Sequence, residues 1–188
     1  FYGPKSEITD KAIDAMIDSA ADSDGGAIVV PHINGTGTPY MDSSASAAIV
    51  GLRSHVTKEN LARALLNALN GEMILNLDKM ESAGIMPRDL IATGGGARNR
   101  RALQIKSNVT KRRVLRTRLL DGGSLGSAIV AATGAGRFNT IQEGIEEWVA
   151  YDETVVPEPP GTAPATNSDP LAYDAIYQLL KQRSLRKG

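Results

Sequence analysis

The sequence predicts a mixed α/β fold. A strand-like run at residues 89–93 is followed by a helix-like stretch and by a second strand-like run at 112–117, which is the pattern of a βαβ unit. Elsewhere, apolar residues recur at helical spacing, and clusters of glycine or proline separate these stretches. These patterns predict about six helices but only about three strands, so we expect a sheet with few strands.

The first part of the chain predicts one helix, one strand and one loop. The helix covers Thr9 to Asp22, with Thr9 as its cap. Its apolar face consists of Ile13, Met16, Ile17 and Ala20. The strand is AIVVPHI at 27–33, and the segment that follows, NGTGTPYMDSSASA, has the composition of a loop.

The clearest helical pattern runs from Thr57 to Ser82. Thr57 is predicted to cap its start, and Gly84 to end it. The predicted buried stripe contains Leu61, Leu65, Leu69, Met73, Leu77 and Met80. Gly71 costs this helix about 1 kcal/mol relative to alanine. We therefore expect a neighbouring element to pack closely against Gly71.

Residues 89–117 predict a parallel βαβ unit. The strand DLIA enters a glycine turn, NRRALQIKSNV forms the crossover helix, and RRVLRT forms the second strand. The next segment, SLGSAIVAATGAG, predicts a helix. Its small residues, Gly126, Ser127, Ala128, Ala131 and Ala132, would allow a close approach to another backbone.

The last part of the chain predicts two more helices and a connection between them. The helix TIQEGIEEWVAY is amphipathic, with Ile141, Ile145, Trp148 and Val149 directed inward. Residues 152–170 carry many of the chain's nine prolines and predict an extended surface connection. The final helix begins near Pro170. One of its faces holds Tyr173, Ile176, Tyr177 and Leu180.

The composition excludes several classes of function. The chain has 188 residues and a formal net charge of +0, which argues against a nucleic-acid or anionic-membrane partner. It has no cysteine and only two histidines, so we expect neither a disulfide framework nor a metal site. No apolar run is long enough to span a membrane, and no signal-peptide pattern is present. A cytoplasmic enzyme, or a part of one, fits best.

The segment IATGGGARN at 91–99 is the most informative local pattern. Glycines let a ligand approach the backbone closely, and the start of the following helix offers unpaired N–H groups. Open α/β sheets bind ligands at the carboxyl ends of their strands, where this turn lies. The segment matches neither G-x-G-x-x-G, because Asn99 stands at the third glycine, nor the P-loop pattern. A ligand-binding turn and a purely structural turn both remain open.

The other polar candidates are better explained by structural roles. Asp42 is predicted to order its loop rather than to act in catalysis, and Asp121 to cap the helix that follows it. His32 and His55 are interpreted as ordinary polar residues rather than as bases. A basic cluster could meet a phosphate, but a solvated strand face is favoured. That cluster consists of Lys111, Arg112, Arg113, Arg116 and Arg118.

Four segments of the sequence carry a family resemblance. They are AIVVPHINGTGTPYMDSSASAAIVGL, HVTKENLARALLNALNGEM, LIATGGGARNRRALQIKSNV and SLGSAIVAATGAG. In this order and spacing they resemble the C-terminal domain of the FGGY carbohydrate kinases, which include xylulokinase, ribulokinase, fuculokinase and glycerol kinase. The resemblance covers 27–177, so residues 1–188 are interpreted as one such domain. It implies a ribonuclease H-like fold, shared with actin and hexokinase, that lacks its first strands.

The resemblance also implies a nucleotide site. Such kinases bind ATP between two domains, and the C-terminal domain supplies an adenosine pocket around a Gly-Gly-x turn. Here the pattern falls on Gly94, Gly95, Gly96, Ala97 and Asn99, with Arg98 or Arg100 at the pocket edge. Gly95 and Gly96 would pass against the adenine and ribose, and Asn99 would hydrogen-bond the base. A bulky residue at Gly96 is therefore expected to weaken ATP binding.

The implied activity is transfer of the γ-phosphoryl group of ATP, with Mg²⁺, to a hydroxyl of a ketose or polyol. The family's catalytic aspartate and its phosphate-gripping Gly-Thr hairpin would both precede Phe1. No catalytic residue is therefore expected in this chain, and the chain alone is predicted to be inactive. Because it starts at Phe1 and not at Met, we expect a fragment. Its uncovered apolar faces favour a homo-oligomer or a partner chain with the missing half.

Departures from the family pattern leave a second interpretation open. Ser46-Ala47 stands where Arg-Gly is usual, and Asn67-Ala68 where Glu-Gly is common. LLDGGSLGSA stands where Glu-Ala-x-Ala-Leu-Gly-Ala-Ala is commoner. The alternative is a degenerate, non-catalytic kinase-like scaffold. An actin-like ATPase is disfavoured by the ordered segments, and a Rossmann domain by the lack of an acidic residue about 20 positions after the glycines.

Overall fold

The computed structural model describes residues 10–159 and 170–185. Within these ranges the chain forms two compact units. The first contains the described residues up to Pro87 and from Glu158 onward, and the second is Arg88–Pro157. Thr9, the predicted cap of the first helix, lies outside the described residues.

Helices and strands are interspersed along the described residues, which confirms the mixed α/β class. The helices are α1 (Asp10–Ser19), α2 (Lys58–Ser82), α3 (Arg100–Thr110), α4 (Gly122–Gly134), α5 (Ile141–Trp148) and α6 (Pro170–Leu185). The strands are β1 (Ile28–Val30), β2 (Ala48–Val50), β3 (Asp89–Ala92), β4 (Arg113–Thr117) and β5 (Tyr151–Val155). None of the described helices is long and apolar enough to cross a bilayer.

The first unit is organised around α2, which packs against α1, α6 and β1. Thr57 caps this helix as predicted. The Asn60 amide donates to Thr57 Oγ1 at 3.3 Å, and the Thr57 amide donates to Asn60 Oδ1 at 2.9 Å. This reciprocal capping box satisfies two amides that the helix leaves unpaired. At the other end Gly84 has a φ of 83°, as a glycine that ends a helix should.

The buried face of α2 differs from the predicted leucine stripe. Ala64 and Ala68 form a core with Ala27 and Val29, and Leu61 and Leu65 lie at its margin. Alanines let β1 lie close to the helix, which moves the leucines to the flanks. Leu69 and Met80 are exposed, so the predicted stripe is wrong at both positions.

Three further expectations for the first unit need correction. Gly71 is buried, but a Cβ atom there would meet no atom of the described residues within 4 Å, so the predicted close contact at this position is wrong. Helix α1 ends at Ser19 and not at Asp22, and its Ile13 is exposed. Strand β2 pairs antiparallel with β1 and is missing from the predicted elements, because three residues carry too little alternation to indicate a strand.

The departure at residues 67–68 is accommodated in the interior. Asn67 is buried; its Oδ1 accepts from Arg63 Nε at 3.0 Å, and its Nδ2 donates to Asp24 Oδ2 at 3.3 Å. Ala68 belongs to the apolar core of the unit. The pair Asn67-Ala68 therefore has a structural role in this chain.

The second unit contains the predicted βαβ arrangement. β3 and β4 are parallel, with Leu90 opposite Val114, and α3 connects them. The core beneath this sheet is formed by Ala97, Leu103, Val114 and Val155. The parallel pairing predicted from the sequence is confirmed.

A third strand, β5, occupies part of the predicted connection. Tyr151 and residues 153–155 pair antiparallel with β4, so the predicted connection over 152–170 begins within a strand. The predicted helix over 140–151 correspondingly ends at Trp148. Residues 160–169 lie outside the described residues.

Ion pairs across this sheet involve two residues of the basic cluster. Arg113 forms two hydrogen bonds with Asp89, both 2.7 Å long. Arg116 contacts Asp152 at 2.9 Å and Glu153 at 3.1 Å. The guanidinium of Arg116 lowers the pKa of the Asp152 carboxyl. These two arginines therefore pair with carboxylates of neighbouring strands, and Arg113, 58% exposed, lies on a solvated strand face as predicted.

The outer faces of α4 and α5 are exposed. The two helices meet where Gly144 lies against Ile129 and Phe138. Ile141 is 49% exposed and Ile145 is 40% exposed, so their predicted inward direction is wrong. The small residues of α4 are likewise not covered by another described backbone, since only Ile129 is buried in that helix.

Candidate functional site

A cleft opens at the carboxyl ends of the two parallel strands. It has a volume of about 360 Å³. The residues that line it come from the segments after β3 and after β4: Thr93, Gly94, Gly95, Arg98, Leu120, Asp121, Gly122 and Gly123. This edge of a parallel sheet is where α/β folds bind ligands.

The glycine turn forms one wall of the cleft. Gly94 has a φ of 81°, a conformation that residues with a Cβ atom rarely adopt. Gly95–Ala97 then form a short 3₁₀ turn that leads into α3. A Cβ atom at Gly95 would meet no atom within 4 Å, so this wall is open to a ligand.

The two walls are connected through the carbonyl oxygen of Leu120. The Gly94 amide donates to this oxygen at 2.6 Å, and Thr93 Oγ1 donates to it at 2.8 Å. Gly122 lies so close that a Cβ atom there would stand 2.8 Å from Thr93 Oγ1. A residue without a Cβ atom at position 122 thus allows the walls to approach each other.

The structure separates the residues predicted to bind adenosine. Gly94, Gly95 and Arg98 line the cleft. Gly96 is exposed but is not among the lining residues. Ala97 is 2% exposed and belongs to the core of the unit.

Asn99 and Arg100 have roles within the fold. Asn99 is the N-cap of α3, and its Oδ1 accepts a hydrogen bond from the Ala102 amide at 3.0 Å. Arg100 Nε contacts Glu153 Oε1 at 2.6 Å. Neither residue is among those that line the cleft, and their contacts with a nucleotide stay predictions.

The second wall, residues 120–123, is missing from the predicted site. The signal was present in the sequence, because the carboxyl ends of two parallel strands meet at one edge of a sheet. The segment LLDGG follows the second strand as the glycine turn follows the first. The capping role predicted for Asp121 is confirmed: the Ser124 amide donates to Asp121 Oδ1 at 3.0 Å.

Asp121 gives this wall a negative charge. The hydrogen bonds from the Ser124 amide and hydroxyl lower the pKa of its carboxyl. The carboxylate is therefore ionised at neutral pH, where it repels phosphate groups and accepts hydrogen bonds from hydroxyl donors. The charge at this wall therefore favours a ligand group that donates hydrogen bonds over an anionic one.

The remaining candidates lie in the first unit and have structural partners. Asp42 Oδ1 accepts from the Ser44 amide at 2.9 Å, which confirms its predicted role in ordering the loop. His32 is 2% exposed and its Nε2 contacts Glu72 Oε1 at 2.6 Å. His55 Nε2 contacts the Gly25 carbonyl at 3.2 Å. Over residues 10–159 and 170–185, no group of three or more His, Cys, Asp or Glu side chains could hold a metal ion.

The chain matches known proteins along most of its length. The sequence model of the FGGY family of carbohydrate kinases, C-terminal domain, matches residues 5–135. The xylulose kinase of Staphylococcus epidermidis is 28% identical over 180 residues, which cover 92% of this chain and 35% of that protein. The glycerol kinase of Citrifermentans bemidjiense is 38% identical over 131 residues, which cover 69% of this chain and 26% of that protein.

A solved kinase structure also matches this chain. The xylulose kinase of Rhodospirillum rubrum superposes with a TM-score of 0.66 at 25% identity, covering 97% of this chain and 35% of that one. The fold is therefore that of the mixed α/β, ribonuclease H-like kinase domains related to actin and hexokinase. The chain belongs to the FGGY family of carbohydrate kinases, as its motifs predict. It spans about a third of the length of the curated xylulose kinase that it matches.

Proposed function

We propose that this chain is the nucleotide-binding part of an ATP-dependent carbohydrate kinase, which phosphorylates a hydroxyl of a sugar or polyol. Family membership supports this proposal, as do relatives named xylulose kinase and glycerol kinase. The observation that carries it is the glycine-walled cleft at the ends of β3 and β4. In this proposal the cleft holds the adenosine end of ATP.

The residues of the cleft would position the nucleotide. Gly94 and Gly95 provide a flat wall against which a ring can lie, since neither carries a side chain. Asn99 holds the start of α3 and thereby the orientation of the turn; a direct contact of Asn99 with the base, and a place for Arg98 or Arg100 at the pocket edge, belong to the same proposal. Gly96 would lie outside the main contact.

Phosphoryl transfer also needs charge neutralisation and a base near the accepting hydroxyl. Mg²⁺ would supply the neutralisation. Among residues 10–159 and 170–185, no group of three or more His, Cys, Asp or Glu side chains could hold it. In the proposal the base and the phosphate grip belong to parts of the kinase outside this chain. The chain by itself is accordingly expected to transfer no phosphate to xylulose or glycerol, which a coupled ADP assay would measure.

Nucleotide titration of the 188-residue chain tests the proposal. ATP, AMP and tripolyphosphate are added in turn, and the amide signals of Gly94, Gly95, Gly122 and Gly123 are followed by NMR. If the cleft holds adenosine, ATP and AMP shift these signals with similar affinity, and tripolyphosphate does not compete. Failure of both nucleotides to shift them would overturn the proposal and favour a non-catalytic scaffold.

Gly95→Val is the sharpest variant for this test. A Cβ atom at this position would meet no described protein atom within 4 Å, and Gly95 lines the cleft. We therefore expect the added side chain to occupy space in the cleft and to raise the Kd for AMP at least about tenfold, equivalent to 1.4 kcal/mol. Gly134→Val is the matched control, because Gly134 is also exposed and open but does not line the cleft. Gly96→Val should have a smaller effect than Gly95→Val. Equal affinity in Gly95→Val and the unmodified chain would contradict the proposed site.

A further inference from the structure

Among the described residues that line the cleft, Asp121 is the only one with a carboxylate. Its orientation is fixed before any ligand arrives. Oδ1 accepts from the Ser124 amide at 3.0 Å, and Oδ2 accepts from the Ser124 hydroxyl at 2.8 Å. An acceptor that is already ordered loses little conformational entropy when a ligand binds it.

The carboxylate has capacity for further hydrogen bonds. Two carboxylate oxygens offer about four acceptor positions together, and Ser124 occupies two of them. The side chain is also exposed rather than enclosed by protein. A ligand in the cleft can therefore reach Asp121, provided that it offers a donor and not an anion.

The position of Asp121 relative to the glycine turn indicates which ligand group would donate to it. Asp121 follows β4, the glycine turn follows β3, and these two strands are parallel neighbours. In dinucleotide-binding sheets, an acidic residue in the same relation to a glycine turn accepts hydrogen bonds from ribose hydroxyls. Asp121 follows the glycines at a longer spacing than the about 20 positions of the dinucleotide-binding pattern, because β4 and its loop place the carboxylate later in the chain.

We propose that Asp121 accepts a hydrogen bond from the ribose 2′- or 3′-hydroxyl of the bound nucleotide and so selects ribonucleotides over deoxyribonucleotides. This inference rests on the proposed function, since it assumes that the cleft holds adenosine. It assigns to Asp121 a specificity role beyond the capping of α4. The uncharged sugar, and not the phosphate chain, lies at the negative wall.

The test compares the affinities of ATP, 2′-deoxyATP and 3′-deoxyATP for the 188-residue chain. We expect at least one deoxynucleotide to bind about tenfold more weakly than ATP, the effect of losing one hydrogen bond to a charged group. In Asp121→Ser this ratio should fall to within about twofold, since serine keeps a good N-cap for α4 but removes the charged acceptor. Thr140→Ala is the control, because Thr140 caps α5 in the same way at 3.1 Å but does not line the cleft. Its ratio should match that of the unmodified chain.

Each other outcome has a defined meaning. If ATP binds and Gly95→Val weakens it, but all three nucleotides bind alike, the ribose inference fails and the proposed function stands. If Asp121→Ser weakens all three nucleotides equally, Asp121 acts only as a helix cap and the inference is overturned. If no nucleotide binds the unmodified chain, the proposed function and the inference fail together.

Discussion

At the scale of single residues, the contact between Thr93 and Gly122 sets the width of the cleft. A Cβ atom at Gly122 would stand 2.8 Å from Thr93 Oγ1 and 3.1 Å from Thr93 Cγ2. Both Thr93 atoms belong to a branched side chain whose hydroxyl donates to Leu120. The side chain therefore cannot rotate away without the loss of this hydrogen bond.

We predict that Gly122→Ala destabilises the chain by about 1–3 kcal/mol, as overpacking typically does. The same change should cost much less in a Thr93→Ala background, because both clashing atoms are then gone. Urea unfolding of the two single variants and the double variant measures this coupling. Additive free energies of unfolding would show that the two residues do not press on each other.

At the residue scale, the sequence predicts only part of the candidate site. Gly94 and Gly95 line the cleft, because glycines after a strand are informative on their own. Ala97 is buried in the core and Asn99 caps α3, and only the packed structure shows these roles. Asp121 escaped the predicted site because its place depends on two strand ends that are distant in sequence.

At the scale of elements, α6 is attached to the first unit through tyrosine hydroxyls. Tyr177 donates to Asp42 Oδ2 at 2.8 Å, and Tyr173 donates to Glu72 Oε1 at 2.8 Å. Tyr40, on the loop, donates to Asp174 of α6. Burial, assisted by the bond to Asp42, raises the pKa of Tyr177 to about 12. Burial and the carboxylates of Asp174 and Glu72 likewise raise the pKa values of Tyr40 and Tyr173.

These raised pKa values predict a loss of stability at alkaline pH. Unfolded tyrosines ionise near pH 10, so the stabilisation is complete below this pH and disappears as the pH rises toward about 12 for Tyr177. We expect the melting temperature to fall over this interval, and to fall less steeply in Tyr177→Phe. Circular dichroism and tyrosinate absorbance would measure both effects.

Tyr151→Phe provides the control for this experiment, because Tyr151 is exposed on β5 in the other unit. It should leave the alkaline profile unchanged. Ionisation of all tyrosines near pH 10 with no loss of helical signal would show that the hydroxyls do not hold α6.

Some elements can be predicted from their own sequence, whereas others are stabilised by a neighbouring element and cannot. α3, β3 and β4 follow from local periodicity and turn residues, and α6 buries the predicted Tyr173 and Tyr177. β5 is stabilised by the acidic side chains that meet Arg116 of β4, so its own sequence gives little indication of a strand. The apolar side of α5 does not indicate its buried face, because Gly144, and not Ile141 or Ile145, makes the contact with α4.

At the scale of the whole molecule, exposed apolar surface is the main feature. β3 lies at one edge of the sheet order β3-β4-β5, and its Ile91 is 61% exposed. Val130 of α4 is 57% exposed. An apolar edge strand is a template for pairing with another chain.

We predict that the 188-residue chain self-associates through the β3 edge. Its weight-average mass in sedimentation equilibrium should rise with concentration, and Ile91→Lys should reduce this rise, because a charged residue protects an edge strand. Met86→Lys is the control, since Met86 is 70% exposed but lies outside the strands. A monodisperse monomer at all concentrations would contradict the prediction.

The carbonyl of Leu120 has a consequence for how this region can change during evolution. Three donors converge on its oxygen: the amide of Gly94 at 2.6 Å, the hydroxyl of Thr93 at 2.8 Å and the amide of Gly122 at 3.0 Å. Because a main-chain atom accepts them, these three hydrogen bonds do not depend on the side chain at position 120, which packs against the core of the unit. An insertion or deletion between Thr117 and Asp121 would instead displace the carbonyl, so we expect the length of this loop to be inherited.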